Sequence, residues 1–230
     1  MKVALLLLNL ACLVYSLREE DRIIDLPGVP GKPDFDSFSG YLNASEDGTD
    51  QMFYWLSESR GNPLEDPLLI WLNGGPGESS LKGLFLELGP YFIGPDGRSL
   101  IYNKYSWNNN ANILMLESPI GVGFSYNTMS EDTLNNNDKK TAEMNFFAIR
   151  DFMTRVHPRY ANVPFFIAGE SYGGMYIPFL ARRLLAANES VDFPNPFFEG
   201  MAIGNGVLHS FWQFESTYEM LYYRGLVPDW

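Results

Sequence analysis

The sequence predicts an α/β fold with a mostly parallel sheet and helices on both faces. Short apolar, strand-like runs alternate with longer runs of helical period, the pattern of strands joined by crossover helices. Three of the strand-like runs end in glycine-rich turns, and one of those turns leads straight into a helical stretch. No internal repeat is present.

The elements follow in order. Residues 1–16 have a short basic start, an apolar run from 3 to 14 broken by Asn9, and small residues before a cleavage point after Ser16. That is the pattern of a secretory signal peptide, and the run is short for a membrane span. Residues 17–230 are then one domain of ordinary size. Residues 26–33, rich in Pro and Gly, read as an extended entry. Residues 38–43 and 51–57 read as an antiparallel hairpin around Ser45-Glu-Asp-Gly48. Residues 67–72 form an apolar strand ending in Asn73-Gly-Gly-Pro-Gly77, followed by a helix over 79–88. Residues 111–116 form another strand. The spacing of Ala142, Phe146, Ile149 and Met153 predicts a helix within 132–156. A strand at 164–168 feeds a helix at 172–187. A strand at 198–203 and a helix at 211–223 complete the order. The asparagine clusters at 108–110 and 135–137 read as loop.

The bulk properties exclude several classes. The formal charge is −12, which disfavours nucleic acid and anionic lipid as partners. The only cysteine is Cys12, inside the leader, so the mature region has no thiol for a disulfide or a metal. No cofactor or metal is expected. Asn43-Ala-Ser45 and Asn188-Glu-Ser190 match the glycosylation acceptor pattern. Composition leaves a homodimer open.

The chemistry centres on Gly169-Glu-Ser-Tyr-Gly173. A G-x-S-x-G pentapeptide between a strand and a helix is the nucleophile elbow of α/β-hydrolases, which lifts one serine, here Ser171, above the sheet edge. An acyl-transfer oxyanion needs two fixed N–H donors. One belongs to the residue after the nucleophile, Tyr172. The other belongs to the loop after an earlier strand, where Asn73-Gly-Gly stands, and Gly75 is the expected donor.

Further stretches carry a family resemblance. Phe53-Tyr-Trp-Leu56, Pro67-Leu-Leu-Ile-Trp-Leu-Asn-Gly-Gly-Pro-Gly77, Glu87-Leu-Gly-Pro90 and Tyr105-Ser-Trp107 are followed by Glu117-Ser-Pro-Ile-Gly-Val-Gly-Phe-Ser-Tyr126. Gly169-Glu-Ser-Tyr-Gly-Gly174 and Ala202-Ile-Gly-Asn-Gly206 complete the set. With these motifs in this order the chain resembles the N-terminal portion of the serine carboxypeptidase family, cathepsin A-like members included. The resemblance implies an α/β-hydrolase whose C-terminal part is missing here. It implies release of C-terminal residues from peptides, usually at acidic pH, through an acyl-enzyme on Ser171. It also implies that Asn73, Gly74, Glu87 and Glu170, with Trp71 nearby, bind the substrate's terminal carboxylate. Two glutamates beside a bound carboxylate repel it when all are ionised and attract it when they share protons. The partner is then a peptide or protein with a free C-terminus, met in the secretory pathway, lysosomal or extracellular.

Two departures matter. Glu78 stands where the family has a cysteine tied to a later segment, which weakens the expected rigidity of the loop and adds negative charge. No residue matches the family's later Asp and His, so little activity is expected of the chain as written. His157 precedes the nucleophile strand and reads as a surface residue at the far sheet edge. His209 follows a strand on the nucleophile's edge and reads as a loop residue rather than a base. Two other classes stay open: a non-catalytic relative that binds peptides or proteins, and an acyltransferase on the same scaffold.

Overall fold

The computed structural model describes residues 18–130, 133, 135–189 and 193–228; the leader at 1–16 lies outside them. Nine strands are described. They are β1 (Ser37–Asn43), β2 (Asp50–Ser57), β3 (Leu68–Leu72), β4 (Tyr91–Ile93), β5 (Leu100–Tyr102), β6 (Asn112–Leu116), β7 (Tyr126–Asn127), β8 (Phe165–Glu170) and β9 (Phe198–Gly204). Three α-helices join them: α1 (Asp138–Asp151), α2 (Gly173–Glu189) and α3 (Ser210–Tyr223).

The main sheet runs β1-β2-β6-β3-β8-β9, with β7 paired to β2. The β1–β2 hairpin is antiparallel, with Ser37 opposite Ser57 and Asn43 opposite Gln51. From β6 onward every pairing is parallel. Strands covered on both faces should be apolar without alternation, and β6 reads Asn-Ile-Leu-Met-Leu with every residue buried. The β8 register sets Gly169 beside Leu72 and beside Ile203, which aligns the ends of three strands where the glycine-rich turns begin.

One face of the sheet packs Ile70, Leu72, Leu114 and Ile167 against Phe146 and Ile149 of α1 and Ile177, Leu180 and Leu184 of α2. The other face packs Trp55, Trp71, Met115 and Ala168 against Leu84 and Leu88. That second cover is a π-helical turn, Gly83–Glu87, and not the longer helix expected over 79–88. The cause is local. Leu88 and Gly89 both donate to the Gly83 carbonyl, which widens the turn, and Pro90 follows. The helix expected from 132 starts at Asp138, because extended Asn137 caps it by accepting the Lys140 N–H at 3.0 Å. Its last turn is π-helical, Phe152–Val156. Pro158 disfavours helical backbone at His157 and ends it.

His157 corrects the sequence reading. It is fully buried, not on the surface, and packs against Phe38, Phe152 and Tyr160. Its Nε2 lies 2.9 Å from the Tyr54 hydroxyl, whose own proton goes to Asp21 at 2.7 Å. The β4–β5 hairpin was not expected. At the other end of the sheet, β9 is an edge strand with Met201 exposed, and no residue of α3 is buried.

Candidate active site

Ser171 stands at the turn between β8 and α2 with φ 54°, a left-handed conformation that non-glycine residues seldom adopt and that functional turns retain. The surrounding chain holds it there. Its N–H donates to the Gly204 carbonyl at 3.0 Å, and its carbonyl accepts from Gly174 and Val207. The flanking glycines are required by close approach. A side chain at Gly169 would put Cβ 2.4 Å from the Leu72 carbonyl oxygen, and one at Gly174 would meet the Val207 backbone at 2.6 Å. Ser171 itself is exposed.

The turn after β3 lies against this elbow. A Cβ on Gly74 would fall 2.5 Å from the Tyr172 nitrogen and 2.8 Å from Ser171 Cβ. Only glycine therefore leaves the space beside the Tyr172 N–H open. Gly75 follows with φ 107°, again a glycine conformation. Among the described residues, neither the Tyr172 nor the Gly75 N–H donates to a protein acceptor. An oxyanion hole requires donors of this kind, and Gly74 brings the loop that carries the Gly75 N–H against the Tyr172 N–H and Ser171.

The loop carries no covalent bridge, and hydrogen bonds hold it. Asn73 N–H donates to Ser80 Oγ at 3.1 Å, and Glu78 N–H donates to the Gly74 carbonyl at 3.1 Å. Ser79 Oγ donates to Glu117, which is buried at the end of β6 and also accepts from Phe124 N–H at 2.6 Å. Leu81 N–H donates back to Ser79 Oγ. The loss of rigidity expected from the missing cysteine is offset by this strut, whose anchor, Glu117, the sequence reading quoted only as part of a motif.

The five residues implied for carboxylate binding are brought together in part by direct bonds. Trp71 Nε1 donates to Asn73 Oδ1 at 2.7 Å, and Gly83 N–H donates to the same oxygen at 3.2 Å. With its oxygen used, Asn73 turns its Nδ2 to Glu170 Oε1 at 3.1 Å. Gly74 meets the backbone of Glu170 and Tyr172. Glu87 enters through Lys82, whose Nζ is 2.9 Å from Glu78, 3.6 Å from Glu87 and 3.9 Å from Glu170. Lys82 was not singled out from the sequence. Partial burial, then the neighbouring Glu170, push the Glu87 carboxyl above the usual carboxylate range.

Neither histidine serves Ser171. The contacts of His157 are the core residues named above. His209 is exposed and caps α3, its Nδ1 accepting the Trp212 N–H at 3.4 Å. It lines a shallow hollow with Tyr172, Met175 and Val207. Among the described residues, Ser171 Oγ has no hydrogen-bond partner. Asn43 ends β1 half-buried, and Asn188 lies in the last turn of α2 with its side-chain oxygen buried.

The sheet order and the strained serine turn are those of an α/β-hydrolase. A family model described as serine carboxypeptidase matches residues 27–230, and the chain belongs to that family. It is 48% identical over 198 residues to serine carboxypeptidase ctsa-3.1 of Caenorhabditis elegans, covering 85% of this chain and 34% of the relative. It is 43% identical over 226 residues to the lysosomal protective protein of Mus musculus, covering 98% of this chain and 45% of the relative. Among solved structures it is similar to Kex1Δp, a prohormone-processing carboxypeptidase from Saccharomyces cerevisiae. That match has a TM-score of 0.77 at 28% identity and covers 93% of this chain and 49% of that one. The chain thus spans between a third and a half of the length of these proteins. Among the described residues no helix is long and apolar enough to cross a membrane.

Proposed function

We propose that this chain carries the nucleophile and the substrate-carboxylate pocket of a serine carboxypeptidase. The observation that carries the reading is the Asn73 Nδ2 to Glu170 Oε1 hydrogen bond. It ties the oxyanion loop to the residue before Ser171, so a terminal carboxylate held there leaves the last peptide carbonyl over the serine. In the reaction, Ser171 Oγ adds to that carbonyl carbon, and the oxyanion takes hydrogen bonds from the Gly75 and Tyr172 N–H groups. The C–N bond then breaks. The terminal amino acid leaves with a proton, and water hydrolyses the ester. Accepting the Ser171 proton needs a base, and among the described residues none hydrogen-bonds Ser171 Oγ. The reading therefore requires a histidine that reaches Ser171 Oγ.

Glu87 and Glu170 give the pocket its acid preference. A protonated carboxyl donates to the substrate carboxylate, whereas an ionised one repels it. The raised Glu87 carboxyl extends the protonated range upward, and affinity falls as pH rises through it. The test compares a blocked peptide bearing a free C-terminus with its amide. Hydrolysis of the acid but not the amide, lost in Ser171→Ala, supports the reading; equal hydrolysis of both overturns the carboxylate pocket.

Glu78, whose negative charge stands where the family has a cysteine, favours a second reading, a relative that binds C-terminal peptides without cleaving them. Stable binding of the free acid by the intact protein, with no product on long incubation, would select it. We place the protein in the secretory pathway, with glycans on Asn43 and Asn188. The leader-like residues 1–16 and the resemblance to a protein named lysosomal protective protein support this. A mobility shift on glycosidase treatment, lost in Asn43→Gln and Asn188→Gln, checks it.

A further inference from the structure

Glu78 and Lys82, four residues apart, form an ion pair beside Glu170, a residue of the proposed carboxylate pocket. An exposed pair of this kind contributes little to stability, so its position is the more informative fact. Lys82 Nζ and Asn73 Nδ2 converge on the same oxygen, Glu170 Oε1, from 3.9 and 3.1 Å. An ammonium has three donors. Here only Glu78 is close enough to hold one, since Glu87 is 3.6 Å away. The side chain is 41% exposed, so a ligand can reach it. The charged groups facing it are Glu78 on its own segment, Glu87 at the end of the π-helical turn and Glu170 at the end of β8. A carboxylate arriving beside Glu170 therefore meets three negative groups and one positive group.

We propose that Lys82 is a specificity-determining residue of this pocket: its ammonium takes the ionised terminal carboxylate of the peptide, and Glu78 competes for the same ammonium. This rests on the carboxylate-pocket reading above and deepens it. Proton sharing by Glu87 and Glu170 recruits the carboxylate only where they are protonated. Lys82 attracts it in its ionised form as well, so binding extends toward neutral pH. Glu78 sets how much of that attraction is free. The residue that departs from the family's cysteine thereby tunes the neighbouring cation.

The test uses the intact protein with Ser171→Ala, titrated by calorimetry at pH 5 and pH 7 with a blocked tripeptide and with its C-terminal amide. For the parent, tighter binding of the acid than of the amide is expected at both pH values. Lys82→Met should lower affinity for the acid about five- to tenfold, most at pH 7, and leave the amide unchanged, the scale of one charge-assisted contact. Lys82→Arg should keep most of the preference. Glu78→Gln should raise affinity for the acid about threefold at pH 7 by removing the competitor. A parent that prefers the acid while Lys82→Met keeps the same acid-to-amide ratio overturns the role of Lys82 and leaves the pocket standing. A parent that binds acid and amide alike overturns the pocket itself, and this inference with it.

Discussion

Burial of His157 makes the stability of this fold sensitive to acid. Tyr54 donates its proton to Asp21, so the 2.9 Å contact requires His157 to donate through Nε2–H. The neutral ring then carries its lone pair on Nδ1, a buried atom with no described partner. Protonation would put an unpaired N–H and a charge there. Burial, then the positive charge of Arg18, accordingly depress the group from 6.5 to about 3. In the unfolded chain the ring protonates near 6.5, while the folded state resists. The contribution is complete above pH 6.5 and is lost as pH falls toward about 3. Fully expressed, that difference is about 5 kcal/mol, and at pH 5 about 2 kcal/mol is already gone. His157→Gln keeps a donor for Tyr54 and removes the titration. Urea unfolding of both proteins at pH 7 and pH 5 tests this. The variant should be less stable at pH 7, and its deficit should shrink by about 2 kcal/mol at pH 5. A deficit that stays constant between the two pH values would refute the argument.

Three other predictions concern the site. Gly74→Ala places a methyl 2.5 Å from the Tyr172 nitrogen, so kcat should drop about 10²- to 10³-fold, the scale of one lost oxyanion donor; a change under threefold would remove Gly74 from that role. Glu87→Gln removes the carboxyl that is held above the usual range, and the fall of peptide affinity with rising pH should flatten; an unchanged pH profile counts against proton sharing. Ser79→Ala cuts the bond from the oxyanion loop to Glu117. It should cost about 1–3 kcal/mol in unfolding free energy, since Glu117 is buried, and should lower kcat more than it alters KM. A variant with full kcat would show that the loop does not need the strut.

The succession of strands and helices along the chain and the elbow were readable because each rests on local chemistry. Continuous apolar runs set β3, β6 and β8, and Gly169 and Gly174 announced a turn that no larger residue fits. Only part of what failed depended on contacts distant in sequence. The turn over 83–87 widened into a π-helix through bonds to one carbonyl, which no periodicity reveals. The β4–β5 hairpin did have a signal, Pro95-Asp-Gly97 between β-forming residues, and Asp96 binds Arg98 and Ser99 as such turns do. His157 looked exposed beside a proline, yet Tyr54, far away in the chain, gives it a partner in the core. Lys82 carries no motif, and its place near Glu170 comes from the end of β8.

The central claim is that Ser171 is the nucleophile of a C-terminal peptidase. The most direct measurement treats the intact protein with an organophosphonofluoridate, whose P–F bond a reactive serine hydroxyl displaces. Mass spectrometry then locates the adduct, and hydrolysis of a free-acid peptide and its amide is followed in parallel. The account predicts the phosphonyl group on Ser171, with loss of acid hydrolysis in proportion to labelling. An adduct on another serine, or acid hydrolysis that survives in Ser171→Ala, would contradict it.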